Sequence, residues 1–318
     1  MSEERPLVSF VVPLFDEAEN VPALIEHLEK AADANPGYAF ELIAVDDGSR
    51  DQTFSALSNA VHTGLPITTV RLTRNFGSHH AISAGFAHAR GDAAIVLGAD
   101  LQEPMDLVGS FIAEWEKGAD VVWGIRRSRV VEKGLGPKAS STFSKLLNRY
   151  SEIPSYPSEG PSGVCVTRPV LDILATLKER NRNVLGLIAW VGFRQARVEY
   201  DQLPRRAGTS KWTRANLLKL AFDSFVQFSH TPIRFAGLLG LIISGIGFVY
   251  AVFISIRAIV GAGAPEGWTT VIVTVLVLGG LQLIVLSVFG EYLWRTTDEA
   301  RGRPLYLVRD VTRTDADE

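Results

Sequence analysis

The 318-residue chain is 47% hydrophobic and 21% charged with a formal net charge of −3, a globular composition that excludes disorder and gives no global basic field for holding nucleic acid. Any anionic partner has to be met by individually placed arginines and lysines. The single cysteine, Cys165, excludes an intramolecular disulfide and a cysteine-cluster metal site, and reads as a small buried apolar side chain.

The first apolar run, Leu7 to Phe15, is interrupted by Pro13 and followed at once by Asp16 and Glu17, so it predicts a strand and not a signal peptide. Strand and helix patterns then alternate. Strands are predicted at Val8–Leu14, Phe40–Val45, Thr68–Leu72, Ala93–Leu97 and Asp120–Gly124, with helices at Asn20–Ala32, Thr53–Val61, His79–Ala89 and Met105–Lys117 between them. This order predicts an α/β, Rossmann-like fold: an open, mostly parallel sheet with helices on both faces. Ligands of such sheets sit beyond the carboxyl ends of the strands.

Near Thr231–Arg234 the composition changes, and Phe235 to Leu293 is almost devoid of charge. Two stretches, Phe235–Ile256 and Thr270–Leu293, are each long enough to cross a hydrocarbon core and predict two transmembrane helices. Arg205, Arg206, Lys211, Arg214, Lys219 and Arg234 precede them, Arg295, Arg301, Arg303 and Arg309 follow, and only Arg257 and Glu266 are charged in the connection. That bias predicts an integral membrane protein with the α/β domain and both termini cytoplasmic. Leu217–Phe228 has an apolar face flanked by Lys219 and Asp223 and is expected along the membrane surface. The expected division is an α/β domain over 1–213, an amphipathic interface segment over 214–233, a two-helix transmembrane region over 234–294 and a cytoplasmic tail over 295–318.

Polar residues cluster after each predicted strand: Asp16 and Glu17, then Asp46-Asp47-Gly48-Ser49, Arg74-Asn75, Asp100 and Gln102, and Arg126-Arg127. Each has an ordinary reading alone, Asp47-Gly48 as a turn, Asn75 as a cap and Arg126 as a solvated charge. Five such coincidences at one sheet edge favour a shared ligand pocket. Asp100 and Gln102 are two apart, so in an extended segment both face one side, where a carboxylate and an amide oxygen can approach a divalent cation. Mg2+ suits them, because it commonly takes one or two carboxylates and completes its shell with substrate phosphates and water. Asp100 capping the helix after Pro104 is the competing reading.

The runs Val11-Val12-Pro13-Leu14-Phe15-Asp16-Glu17 and Val45-Asp46-Asp47-Gly48-Ser49-Arg50-Asp51 resemble the start of glycosyltransferase family 2, whose members have the GT-A fold. Arg74-Asn75-Phe76-Gly77, Ala99-Asp100-Leu101-Gln102-Glu103-Pro104, Arg205-Arg206-Ala207-Gly208-Thr209-Ser210-Lys211-Trp212 and Gly290-Glu291-Tyr292 resemble its polyprenyl-phosphate branch, with the bactoprenol glucosyltransferases and dolichol-phosphate mannose synthases. The resemblance implies a nucleotide-sugar donor, UDP before GDP, a polyprenyl phosphate acceptor such as undecaprenyl phosphate, and Mg2+ or Mn2+ as cofactor. Pro13, Phe15, Glu17, Asp46, Asp47 and Arg74 would hold the nucleotide-sugar, with Asp100 and Gln102 at the metal and diphosphate. Arg126 would face phosphate; Arg205, Ser210 and Lys211 would clamp the lipid phosphate; Asp100, Arg126 and Lys211 would carry catalysis. The bilayer and other copies of the chain are the further partners implied.

Two positions depart from the family pattern. Gly98 stands where an aspartate of Asp-x-Asp-x-Gln is expected, and Ser162 stands near an expected acid. They leave open a second reading, a degenerate membrane scaffold that binds nucleotide-sugar or lipid phosphate without turnover. The presence of Asp46, Asp47, Arg74, Asp100, Arg205 and Lys211 favours the enzyme. A phosphate acceptor has a second pKa of about 6, so its oxygen is already anionic and needs little help from a base. The absence of Gln-x-x-Arg-Trp argues against a processive synthase.

Overall fold

The computed structural model describes residues 5–60, 64–128, 156–157, 161, 163–180, 182–204, 231–260 and 267–314. They fall into two units, Met1–Phe225 with Pro304–Glu318, and Val226–Arg303.

The first unit is built on an eight-stranded sheet. In chain order it contains β1 (Leu7–Leu14), α1 (Val21–Asp33), β2 (Ala39–Asp46), α2 (Thr53–Ser58), β3 (Ile67–Leu72), α3 (Ser78–His88), β4 (Ala93–Val96), α4 (Asp106–Glu116), β5 (Val121–Ser128), β6 (Gly163–Thr167), α5 (Arg168–Thr176), α6 (Val184–Trp190), β7 (Gln195–Asp201) and, after the second unit, β8 (Val308–Thr314). β1 and β2 are covered on both faces, so they read as near-continuous apolar runs. α1 buries Val21, Leu24, Ile25, Leu28 and Ala31, spaced three and four apart, so one stripe of the helix faces the core. Phe10 stacks on Phe40 at 5.1 Å, and Leu24, Leu28, Leu107 and Phe111 belong to the same cluster.

The strand order is β7-β5-β6-β4-β1-β2-β3-β8. β1 to β5 and β7 all run one way, because β6 is antiparallel to both β4 and β5, and β7 is parallel to β5. The five strands expected from sequence are all present and share a direction. β5 does not neighbour β4, however, since β6 is inserted between them. The segment read as a cytoplasmic tail contains β8, which pairs antiparallel with β3 at the sheet edge and is followed back to Leu307, whose carbonyl accepts from Thr73 N at 2.9 Å.

At the amino-terminal edge of the sheet lies a buried charge network. Glu41, 1% exposed, accepts from Ser9 Oγ at 2.7 Å, from Arg90 N at 2.8 Å, and from Arg90 Nε and Nη2 at 2.9 and 2.7 Å. Ser9 Oγ in turn accepts from Gly91 N at 2.9 Å. The network ties β1, β2 and the turn before β4 with every carboxylate oxygen satisfied, the condition under which a buried charge is tolerable.

The second unit contains two long helices that touch each other, α7 (Thr231–Ile259) and α8 (Trp268–Ala300). At about 1.5 Å per residue they reach ~44 and ~50 Å. Leu238, Ile242, Ile246, Phe248, Val249, Val252 and Phe253 of α7 are exposed. Among the described residues one stretch, Val277–Ala300 of α8, is long and apolar enough to cross a bilayer. The interface segment 214–233 is outside the described residues except for its last three positions.

Candidate active site

The loops after β1, β2 and β3 form one hydrogen-bonded rim. Asp16 adopts a left-handed conformation (φ 51), which aspartate tolerates better than most residues. Its Oδ1 accepts from Arg50 N at 2.7 Å and its N donates to Ser49 Oγ at 3.0 Å. Glu17 N donates to Thr53 Oγ1 at 2.9 Å, while Glu17 Oε2 accepts from Asn20 Nδ2 at 2.7 Å. Pro13 pairs with Val45 beyond the last residue of β4's ladder, where its missing N–H costs no bond to β4; Phe15, next in the chain but one, is half-buried.

Two adjacent aspartates have different surroundings. Asp46 is fully buried; its Oδ1 accepts from Ser49 N at 2.9 Å and its Oδ2 lies 3.4 Å from Arg71 Nε. Asp47 binds two backbone amides across the rim, Phe76 N to Oδ1 at 2.7 Å and Gly77 N to Oδ2 at 2.9 Å. Burial pushes the Asp47 carboxyl up to about 6, with those two amides opposing the shift. Gly48 lies between this clamp and the next loop at φ 68, and a Cβ there would be 2.4 Å from the carbonyl carbon of Arg74. Arg74 is exposed, its guanidinium 4.0 Å from the Phe76 ring centre.

The loop after β4 departs from the extended geometry expected of it. β4 ends at Val96, and Leu101 takes φ 58 with its side chain turned into the core, so Asp100 and Gln102 do not share a strand face. Gln102 bridges instead to the segment after β7: its Oε1 accepts from Gln202 Nε2 at 2.8 Å and its carbonyl accepts from Leu203 N at 2.9 Å. One lone pair of that amide oxygen is thereby used, and a second is left for a cation.

Glu103, quoted within a motif but not singled out from the sequence, is 7% exposed. Burial and the neighbouring Asp100 push its carboxyl up to about 7, against its own amide, the Gly98 amide and Arg126. Arg126 and Arg127, adjacent on β5, go to opposite faces as a strand requires. Arg127 pairs on the surface with Glu199 at 3.4 Å and Asp201 at 3.6 Å. Arg126 stands opposite Tyr200 of β7, and its Nε is shut off from solvent and makes no hydrogen bond among the described residues. Tyr200 is held protonated by burial and by Glu103, so Asp100, Glu103, Arg126 and Tyr200 form one electrostatic neighbourhood. Glutamate before the proline that opens α4 was the available signal for Glu103. Arg205, Ser210, Lys211 and Ser162 lie outside the described residues.

Among the described residues no group of three His, Cys, Asp or Glu side chains converges as a ready metal site. Asp100, the free lone pair of Gln102 and Glu103 are hard oxygen donors, a chemistry that fits Mg2+ or Mn2+ if substrate phosphates complete the shell.

The profile of the family described as Glycosyl transferase family 2 matches residues 9–219. The chain belongs to glycosyl transferase family 2. The family's α/β, mostly parallel sheet is the one described above. Similarity extends well past the matched region. The chain is 38% identical over 305 residues to an uncharacterized glycosyltransferase of Synechocystis sp., covering 96% of this chain and 95% of that one. It is 33% identical over 306 residues to the bactoprenol glucosyl transferase of Shigella phage SfII, covering 96% and 98%, and 32% identical to the prophage bactoprenol glucosyl transferase homolog of Escherichia coli, covering 96% and 99%. Among solved structures, a mannosyltransferase from Pyrobaculum calidifontis in complex with GDP-Man and Mn2+ aligns with a TM-score of 0.46 at 15% identity over 92% of this chain and 88% of that one.

Proposed function

We propose that this family 2 glycosyltransferase moves a sugar from a nucleotide-sugar, UDP-linked before GDP-linked, to a polyprenyl phosphate, with inversion at the anomeric carbon. The observation that carries the reading is the gathering of Asp100, Glu103 and a solvent-shielded Arg126 Nε with no hydrogen bond among the described residues at the carboxyl ends of the strands, the edge where open α/β sheets bind ligands. End-to-end similarity to bactoprenol glucosyl transferases supports the lipid phosphate as acceptor.

The residues take the following parts. Pro13, Phe15, Glu17, Asp46, Asp47 and Arg74 line the nucleotide side; Asp47 acts through the rim it clamps, and Arg74, exposed above Phe76, is available to phosphate. Asp100 and Gln102 hold Mg2+ or Mn2+, which when bound offsets charge on the leaving diphosphate. Arg126 donates to a phosphoryl oxygen through its fork. Arg205, Ser210 and Lys211 hold the acceptor phosphate, whose anionic oxygen attacks in line without a strong base. α7 and α8 both span the membrane, with the α/β domain and both termini cytoplasmic, and copies of the chain associate. Transfer of radiolabelled sugar from a panel of UDP- and GDP-sugars to undecaprenyl phosphate, by purified protein in detergent with and without Mg2+ or Mn2+, tests the reading. A labelled lipid from one donor is expected; nucleotide-sugar binding with no product from any donor would replace it with the scaffold reading.

A further inference from the structure

A glycine at position 98 is not demanded by backbone conformation, because its φ lies outside the left-handed region; a side chain there would instead meet the ends of two acidic side chains. A Cβ on Gly98 would lie 2.9 Å from Asp100 Oδ1, 3.3 Å from Glu103 Oε2 and 3.7 Å from Glu103 Oε1. The carboxylates of Asp100 and Glu103 therefore open onto the same small volume above the Gly98 backbone. An acidic side chain at 98 would need the volume that the Glu103 carboxylate already borders, so an acid at 98 and Glu103 in this position are alternatives.

Two further features aim this carboxylate pair at a ligand. Glu103 is buried in the loop just before α4 with its own amide and that of Gly98 donating to it, which fixes the carboxylate rather than leaving it to rotate into solvent. Arg126 is among the charges acting on Glu103, yet its Nε makes no hydrogen bond among the described residues and is closed to water. A shielded guanidinium N–H with no acceptor, next to two carboxylates that share one volume, calls for a ligand with both cationic and anionic parts. A divalent cation carrying a diphosphate has that chemistry.

We propose that Glu103 is a ligand of the cation, supplying from the loop before α4 the second carboxylate that a side chain at 98 would otherwise provide. The proposal rests on the transferase reading only in taking this edge as the cation and diphosphate site. It makes Gly98 part of a working site, in which the glycine leaves the room that Glu103 uses.

Mn2+ binding to the full-length protein in detergent, read from the loss of the free-ion EPR signal with and without UDP, tests it. Wild type is expected to bind Mn2+ more tightly with UDP present. Glu103→Gln is expected to weaken that binding by roughly tenfold or more, since affinity for hard cations follows the count of charged ligands, with thermal unfolding little changed. Gly98→Asp combined with Glu103→Ala, which clears the volume an acid at 98 needs, is expected to bind Mn2+ more tightly than Glu103→Ala alone. If Glu103→Gln fails to fold, Glu103→Asp, which keeps the charge but withdraws it by one methylene, is expected to weaken binding several-fold. Wild-type affinity in Glu103→Gln or Glu103→Asp, if folded, overturns the proposal, as does a double variant no better than Glu103→Ala alone. Wild type that transfers sugar yet binds no Mn2+ overturns this proposal and leaves the transferase reading standing; neither binding nor transfer overturns both.

Discussion

Two glutamates are buried at opposite edges of the same sheet, and they are treated in opposite ways. Glu41, at the amino-terminal edge, is closed by Ser9, by the Arg90 amide and by a two-pronged Arg90 guanidinium. Glu103, at the carboxyl edge, has backbone amides beside it, a second carboxylate nearby, and an arginine whose Nε has no acceptor among the described residues. A network that closes on itself can only stabilise the fold. One that keeps a shielded donor beside two carboxylates is suited to a ligand that completes it, because buried charge without compensation is costly. The contrast separates structural from functional charge within one sheet.

The largest expected effect falls on the open edge. Asp100→Asn keeps the shape and removes the charge, and is expected to lower sugar transfer by about 10²–10³-fold, the range seen when one preorganised electrostatic group is lost. Thermal unfolding should move little. A full transfer rate in Asp100→Asn would remove this residue from the mechanism. The closed edge should invert that pattern: Glu41→Ala strips acceptors from Ser9 and Arg90 and is expected to cost about 3 kcal/mol of stability. Transfer per folded molecule should stay near wild type. Loss of rate without loss of stability in Glu41→Ala would erase the distinction between the edges.

The open edge was also the more legible one. Alternating strand and helix patterns placed Asp46, Asp47, Arg74, Asp100 and Arg126 at or near consecutive strand ends, and the helices between β1 and β5 are the connections that strands of one direction need. Three strands escaped for physical reasons. β6 is apolar but only five residues long, β7 reads Gln-Ala-Arg-Val-Glu-Tyr-Asp with a half-exposed pattern, and β8 is exposed at every position, so none carries a long apolar run. Partners distant in sequence were equally hidden. Nothing near Gln102 announces its bond to Gln202, a hundred residues on. Asp47, expected as a ligand contact, also braces two loops, a second use of a carboxylate after a strand that stays hidden until the neighbouring amides are placed.

That brace gives a test between the extremes. Gly48→Ala adds a Cβ 2.4 Å from the Arg74 carbonyl carbon at a backbone angle that L-residues avoid. The rim has to move, so about 1–3 kcal/mol of stability should be lost, together with nucleotide-sugar affinity measured by calorimetry. Unlike Asp100→Asn or Glu41→Ala, this variant should move both readouts. If affinity were untouched while stability fell, the rim would belong with Glu41 as framework and Arg74 would leave the nucleotide side.

The smallest effect is a pH dependence, and it asks whether charge at the rim is held at a cost. Burial raises the folded Asp47 carboxyl to about 6 from an ordinary 3.8. Between those values the folded chain keeps a proton that the unfolded chain has released, so stability from this group is fully present below about 3.8 and is lost as pH rises through 6. Asp47→Asn cannot titrate, and its amide oxygen still accepts from one of the two rim amides. The melting temperature of wild type relative to Asp47→Asn should therefore fall from pH 4 to pH 6 and level off above it. A flat difference across that window would mean that the Phe76 and Gly77 amides compensate the carboxylate fully. The rim would then resemble the closed network of Glu41, and the open edge would narrow to Asp100, Glu103 and Arg126.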